Sequence, residues 1–416
     1  MAVTHLLLLL LLLFFSIAYP SHQQHISTVD LSALIAIKSR LADLPRSNFF
    51  SSWTPASPDP CSTFSGVTCA LQPSSPTTGP PLLRVISLSL GTGLADSPGL
   101  IGSLSPALSS LSALTQLILY PGIVSGPIPP QLGSLKSLRV ISLTNNRLTG
   151  PIPDSLSTLP NLHTLDLSHN HLSGSLPPAL TKLPNLKVLV LASNRLSAEL
   201  PPVSTQLLHL DLKQNGFSGQ LPLLPPSLRY FSVSENLLTG TLDPIVLLSE
   251  LIYLDLSMNR FVGPVPESLI RCTLSTLLLQ RNNLSGGIPR PSRAVDYEEG
   301  SMVDLSHNLL SGELSPVLAG VEMLFLNNNR LIGIVPAEYV DSVYRGSMKT
   351  LYLQHNYFTG FPLRPGSIFP GSPAVCLSYN CVVPPIGLAT CPLSAGVQLL
   401  RPAYQCENLK NGNINE

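Results

Sequence analysis

His163, His169 and His171 lie close together with Asp166 among them. Imidazole and carboxylate groups so grouped can hold a metal ion or pass a proton. In the stretch Leu162-His-Thr-Leu165-Asp-Leu167-Ser-His-Asn170, strand alternation turns His163, Asp166 and His169 outward on one strand and the turn after it. A solvated polar face uses the same residues, and a histidine cluster without a second motif is a weak signal. Gly-x-Ser-x-Gly, His-Glu-x-x-His and phosphate-loop motifs are absent from the sequence. The chain therefore reads as a non-enzyme, with no metal and no cofactor.

Binding is the better-supported chemistry. The residue between two strand leucines recurs as Ile118, Ser142, Asp166, Val190, Asp211, Ser232, Asp255, Leu278, Asp304, Phe325 and Tyr352. Neighbouring outward positions add His163, Lys187, His209, Arg229, Tyr230 and Tyr253. Asp166, Asp211 and Asp255 line the middle of this face with Lys187 and Arg229, and Phe325 and Tyr352 form an aromatic pair near its far end. Exposed aromatics and arginine are enriched where proteins bind partners. These side chains form the expected partner-binding set, although aspartate between two leucines is also a common solvated choice.

The elements that carry them are set by a recurring asparagine: Asn146, Asn170, Asn194, Asn215, Asn236, Asn259, Asn282, Asn308, Asn329 and Asn356. Each closes a frame Leu-x-x-Leu-x-Leu-x-x-Asn-x-Leu, often continued by Gly-x-Leu/Ile-Pro. Repeats start at Leu83, Leu114, Leu138, Leu162, Leu186, Leu207, Leu228, Leu251, Leu274, Gly300, Val321 and Met348. Self-similarity of this length marks a leucine-rich repeat solenoid, whose stacked strands form one parallel sheet with an extended binding face. The leucines point inward, and the asparagine turns in to satisfy backbone groups of adjoining turns. Residues 338–346 and 290–299 read as longer loops. Residues 30–41 have helical spacing with Asp30 as the N-cap, a helix that would cover the open end of the solenoid.

Bulk composition removes other classes. Charged residues are 11% of the 416, and Lys+Arg equals Asp+Glu at 23 each, so there is no basic excess of the kind that serves nucleic acid. The 41 prolines fall mostly in the repeat frame and do not mark disorder. Leu6 to Ala18 is apolar apart from Ser16, the length of a signal-peptide core and short for a membrane span. Val382 to Leu400 is uncharged but interrupted by Pro384, Pro385 and Pro392, so no membrane span is expected there.

Cysteine usage agrees with export. Cys61 and Cys69 stand at one end, and Cys376, Cys381, Cys391 and Cys406 at the other, with spacings unlike paired zinc ligands. Cys61 is expected to bridge Cys69, and the last four to form two bridges whose connectivity the sequence leaves open. Cys272 is expected to be a buried free thiol. Asn283-Leu-Ser285 is the one glycosylation sequon.

The unit Asn146-Arg-Leu148-Thr-Gly150-Pro-Ile152-Pro153, with the segment from Asp30 through Trp53 to Cys61-Ser-Thr-Phe64-Ser-Gly66-Val-Thr-Cys69, resembles the plant extracellular leucine-rich repeat family. Its members include ectodomains of receptor-like kinases and receptor-like proteins, and polygalacturonase-inhibiting proteins. The resemblance implies an α/β solenoid: a right-handed superhelix with a parallel concave sheet, an N-terminal helical cap and a Cys-rich C-terminal cap. The expected organisation is a signal peptide over 1–18, a cap over 26–80, about twelve repeats over 81–362, and a Cys-rich cap and polar tail over 363–416. The sequence has no kinase motifs, and only one cysteine pair in its N-terminal cap, where the inhibitors typically carry two. The expected function is secreted recognition, in the apoplast or cell wall, of a protein, peptide or cell-wall glycan in defence or development, with a membrane receptor kinase as a further partner. The alternative is inhibition of a wall-degrading glycosidase through the acidic column.

Overall fold

The inward asparagine sets the architecture. In the computed structural model, which describes residues 25–54, 57, 59–72, 82–94, 98–270, 274–290, 296–364, 366, 369–371, 373–385, 388 and 391–410, every asparagine of the column ties its own coil to the one before it. Asn170 Nδ2 donates to Leu143 O of the preceding coil at 2.8 Å and to Leu167 O and Ser168 O of its own at 3.2 and 3.1 Å. Its Oδ1 accepts from the Leu148 N–H of the preceding coil at 3.0 Å. The pattern repeats at Asn236, Asn259 and Asn308. One carboxamide thus satisfies backbone groups that burial would otherwise leave unpaired. The residue just before it is left-handed each time: Asn145, His169, Ser193, Gln214, Glu235, Met258, Arg281, His307, Asn328, His355 and Tyr379 have φ between 54° and 58°. This repeated departure from the usual basin turns the chain so that the carboxamide faces in.

The described residues form two sheets. The concave sheet has 14 strands. Val67–Gln72 leads, antiparallel to Leu82–Leu90, and parallel strands follow from Gln116–Leu119 through Tyr230–Ser232 to Thr350–Tyr352 and Ala374–Cys376. The second sheet, of 13 strands, opens with Leu41–Asp43, antiparallel to Leu100–Ser103, and with Ile123–Pro127; from Asn146 on it is built by the segment that follows each asparagine to Asn356, such as His171–Gly174 and Arg260–Gly263. The sequence led to the expectation of one sheet. The glycine does make a tight bend, since Gly174 has φ 84°, but the residues before it are extended and pair with the next coil. Leucines of both sheets and of single 3₁₀ turns such as Asp154–Thr158 fill one continuous core.

Three further expectations are corrected or extended. The helix at the open end is Thr28–Lys38, so Asp30 lies inside its first turn and is not its N-cap. Its carboxylate is fully buried and receives Arg84 Nε at 3.0 Å, Arg84 Nη2 at 2.9 Å and the Val85 N–H at 2.8 Å. Most of 338–346 is not loop, because Ala337–Arg345 is a helix that buries Tyr339, Val340 and Val343 and ends on left-handed Gly346. The strand Ala374–Cys376 and the inward Asn380 continue the ladder past Asn356. Trp53 stacks on Phe64 at 5.0 Å and donates to Ser65 O, closing the N-terminal cap. Cys61 bridges Cys69, and the two far bridges are Cys376–Cys391 and Cys381–Cys406. Cys272 and the signal-like segment lie outside the described residues.

Candidate functional site: the concave sheet

Strand register places the outward residues in straight columns. Ile118, Ser142, Asp166, Val190, Asp211, Ser232, Asp255, Leu278, Asp304, Phe325 and Tyr352 pair coil to coil in that order, and Cys376 extends the column. Two residues earlier in each strand runs a second column, in which His209, Tyr230 and Tyr253 are consecutive.

Adjacent strands bring those three rings face to face. The His209 and Tyr230 centroids are 4.0 Å apart at 2°, and those of Tyr230 and Tyr253 are 4.3 Å apart at 4°. Strand spacing of about 4.8 Å lies just above ring-stacking distance, so a parallel sheet is a natural frame for such a stack. Half-burial lowers the His209 pKa against the opposing pull of Asp211 and Asp166. Burial, then the neighbouring Asp211 charge, raises that of Tyr230 beyond the usual phenol range, and burial with Asp255 raises Tyr253. Both phenols therefore stay protonated hydrogen-bond donors. Because folding lowers the proton affinity of His209, its share of stability is present above the unfolded imidazole pKa and fades as pH falls through the folded value.

Beside the stack, the first outward position of the same coils carries Leu208, Arg229 and Ile252, all exposed, and Met258 is exposed at the turn. Arg229 belongs to the set expected from the sequence; Leu208, Ile252 and Met258 do not. The signal was present: an apolar residue in a column otherwise occupied by His163 and Lys187.

The other expected residues separate. Phe325 and Tyr352 meet edge to face at 5.3 Å and 87°, but two strands, Thr276–Leu278 and Met302–Asp304, stand between them and Tyr253. The aspartates are not simply solvated. Asp211 and Asp255 are only 6% and 8% exposed. Asp255 Oδ1 accepts from Ser257 N–H and Oγ–H at 3.0 and 2.6 Å, Asp166 does the same with Ser168, and Asp211 accepts from Lys213 N–H at 3.1 Å. These contacts close the strand exits in the manner of Asx turns. His163 Nδ1 sits 3.1 Å from Thr164 Oγ1, and His171 Nδ1 sits 3.1 Å from Asn170 O, so the histidines and Asp166 do not converge. Among the described residues no three His, Cys, Asp or Glu side chains are placed to share a metal ion. Lys187 reaches Gln206 O at 3.2 Å. Asn283 is exposed on the second sheet, away from the concave columns.

The leucine rich repeat N-terminal domain matches residues 27–70, and leucine rich repeat families match 130–172, 160–205 and 250–272. These matches show leucine-rich repeats and their N-terminal domain in this chain. Receptor-like protein 35 of Arabidopsis thaliana is 30% identical over 189 residues, which is 42% of this chain and 19% of that protein. The chain spans about a fifth of the length of these curated relatives. Among solved structures, the leucine-rich repeat protein of the PEPR1–AtPEP1 complex superposes with a TM-score of 0.65 at 27% identity, over 85% of this chain and 52% of that one. A plant ice-binding protein gives 0.56 at 26% identity, over 83% of this chain and 100% of that one. No helix among the described residues is long and apolar enough to cross a membrane.

Proposed function

We propose that this leucine-rich repeat protein is a non-catalytic recognition module that binds an extracellular peptide or protein on its concave sheet, centred on coils 207–258. The observation that carries the reading is the His209–Tyr230–Tyr253 stack, rigid and half-buried, flanked by exposed Leu208, Arg229 and Ile252. Rings fixed by their neighbours offer apolar edges and hydroxyl donors with little side-chain entropy left to lose. Kinship with receptor-like proteins and likeness to PEPR1, solved with AtPEP1, support it. The likeness to a plant ice-binding protein shows that the scaffold alone does not fix the ligand, which the side chains on the concave sheet must select. Secretion and glycosylation at Asn283 belong to the same proposal, and a glycan there would leave the concave face clear. The glycosidase-inhibitor alternative needs Asp166, Asp211 and Asp255 free to act, and all three are engaged in turn contacts.

The double substitution Tyr230→Ala, Tyr253→Ala is expected to weaken a partner captured from extracellular fluid by about tenfold or more, which corresponds to ~1.4 kcal/mol. Phe325→Ala with Tyr352→Ala should matter less, because that pair lies apart from the exposed apolar residues. Equilibrium binding of the recombinant protein and both variants to the captured partner decides it. Unchanged affinity in the first variant, with folding intact by circular dichroism, would remove the stack from the site.

A further inference from the structure

A second groove lies along the entry edge of the same sheet toward the N-terminal end, clear of the aromatic stack. Ser137, Arg139, Asn161, His163 and Asn185 line a volume of about 450 Å³. Lys187 follows Asn185 in the same frame, so two positions recur over three successive coils: Ser137, Asn161 and Asn185 at one, and Arg139, His163 and Lys187 at the other. Every one of these side chains is polar, unlike the flank of the stack at Leu208 and Ile252. Asn161 Nδ2 is committed to Lys136 O and Asn185 Nδ2 to Pro160 O, both at 2.9 Å. Each amide therefore has its acceptor Oδ1 and one further N–H left to offer. Arg139 and His163 are exposed, and Lys187 is partly so.

The groove repeats by translation along the solenoid, with one nitrogen base and one amide or hydroxyl per coil, about 4.8 Å apart. A ligand that meets it at each step must itself repeat, bearing regularly spaced negative charges and hydroxyls that can donate to the amide oxygens. A peptide would need an unusual periodic sequence to do so, and the groove offers its apolar side chains nothing. We propose that this groove binds a linear polyuronate, a glycan carrying one carboxylate per sugar. Arg139 and Lys187 take carboxylates as charge-assisted partners, while Asn161, Asn185 and Ser137 take the ring hydroxyls. The inference is independent of the peptide-binding reading, because it uses none of the residues in the stack.

The test is titration of the purified protein with oligomers of galacturonic acid of graded length, beside neutral glucose oligomers and an acidic peptide of matched charge. The galacturonate oligomers are expected to bind, to gain affinity with length up to the span of the groove, and to weaken as salt rises. Arg139→Gln with Lys187→Gln should lower that affinity about tenfold or more. Lys182→Gln with Arg195→Gln, which remove equal charge from a 3₁₀ turn and from the second sheet, should leave it nearly unchanged. Equal binding of neutral oligomers, stronger binding of the acidic peptide, or equal losses in the two double variants would each overturn the proposal.

Discussion

Asp30→Ala is expected to destabilise the N-terminal cap by about 3 kcal/mol or more. The carboxylate is fully buried and accepts two bonds from the Arg84 guanidinium and one from the Val85 N–H. Truncation leaves a sheltered cation without its counter-charge and a buried donor without an acceptor. Arg84 keeps Gln72 Oε1 at 3.2 Å and Ser112 Oγ at 2.8 Å, which places the figure at the lower end of the range for broken buried pairs. Trp53 is the one tryptophan in the chain and lies buried in this cap, so urea unfolding followed by its emission reads the effect directly. A loss below about 1 kcal/mol, the size of an exposed pair, would show that the cap is held by its aromatic packing alone.

Phe231→Ala should cost about 3–5 kcal/mol, whereas Phe231→Leu should cost less than about 1.5. Phe231 is fully buried directly between Tyr230 and Ser232 on the concave strand, in a slot the repeat usually fills with leucine. Leucine restores the common form, while alanine leaves a cavity beneath the stack. Each coil packs on its neighbours alone, so damage here need not reach the cap. The alanine variant should therefore unfold by circular dichroism at lower urea than by Trp53 emission, a departure from two-state behaviour. Coincident transitions at the wild-type midpoint would mean that the coil relaxes around the loss.

The reach of the sequence can be traced residue by residue. The columns were legible because strand alternation and the asparagine frame fix which side chains face out, and pairing of Ser142, Asp166, Val190 and Asp211 follows that reading. The second sheet was not legible, because x-Leu-x-Gly is too short to show alternation and its glycine suggests only a bend. Asn380 was missed because Val375-Cys376-Leu377 replaces the leucine pair, and its cysteine pointed to a cap. The aspartates faced the expected way, but their commitment to Ser168, Lys213 and Ser257 depends on a turn two residues on, where side-chain capture of the backbone is hard to tell from solvation. The nearness of His209, Tyr230 and Tyr253 was implicit in the register. Their stacking was not, since it needs rings whose rotamers match across strands.

The asparagine contacts also have a direction. The carboxamide of each coil bonds backwards, as Asn308 does to Leu279 O and to the Leu284 N–H, so a coil is fastened only when its successor has been made. A growing chain leaving the ribosome would lock its coils in order, one behind the point of synthesis. The last of them, with Asn380, has no successor asparagine. It is met instead by the C-terminal segment: Tyr379 N–H donates to Leu399 O, Arg401 N–H donates to Asn380 O, and the Arg401 guanidinium sits between the rings of Tyr357 and Tyr379 at 3.9 and 4.5 Å. The contacts of this solenoid thus all run one way, and the segment tied back by Cys381–Cys406 latches the last coil.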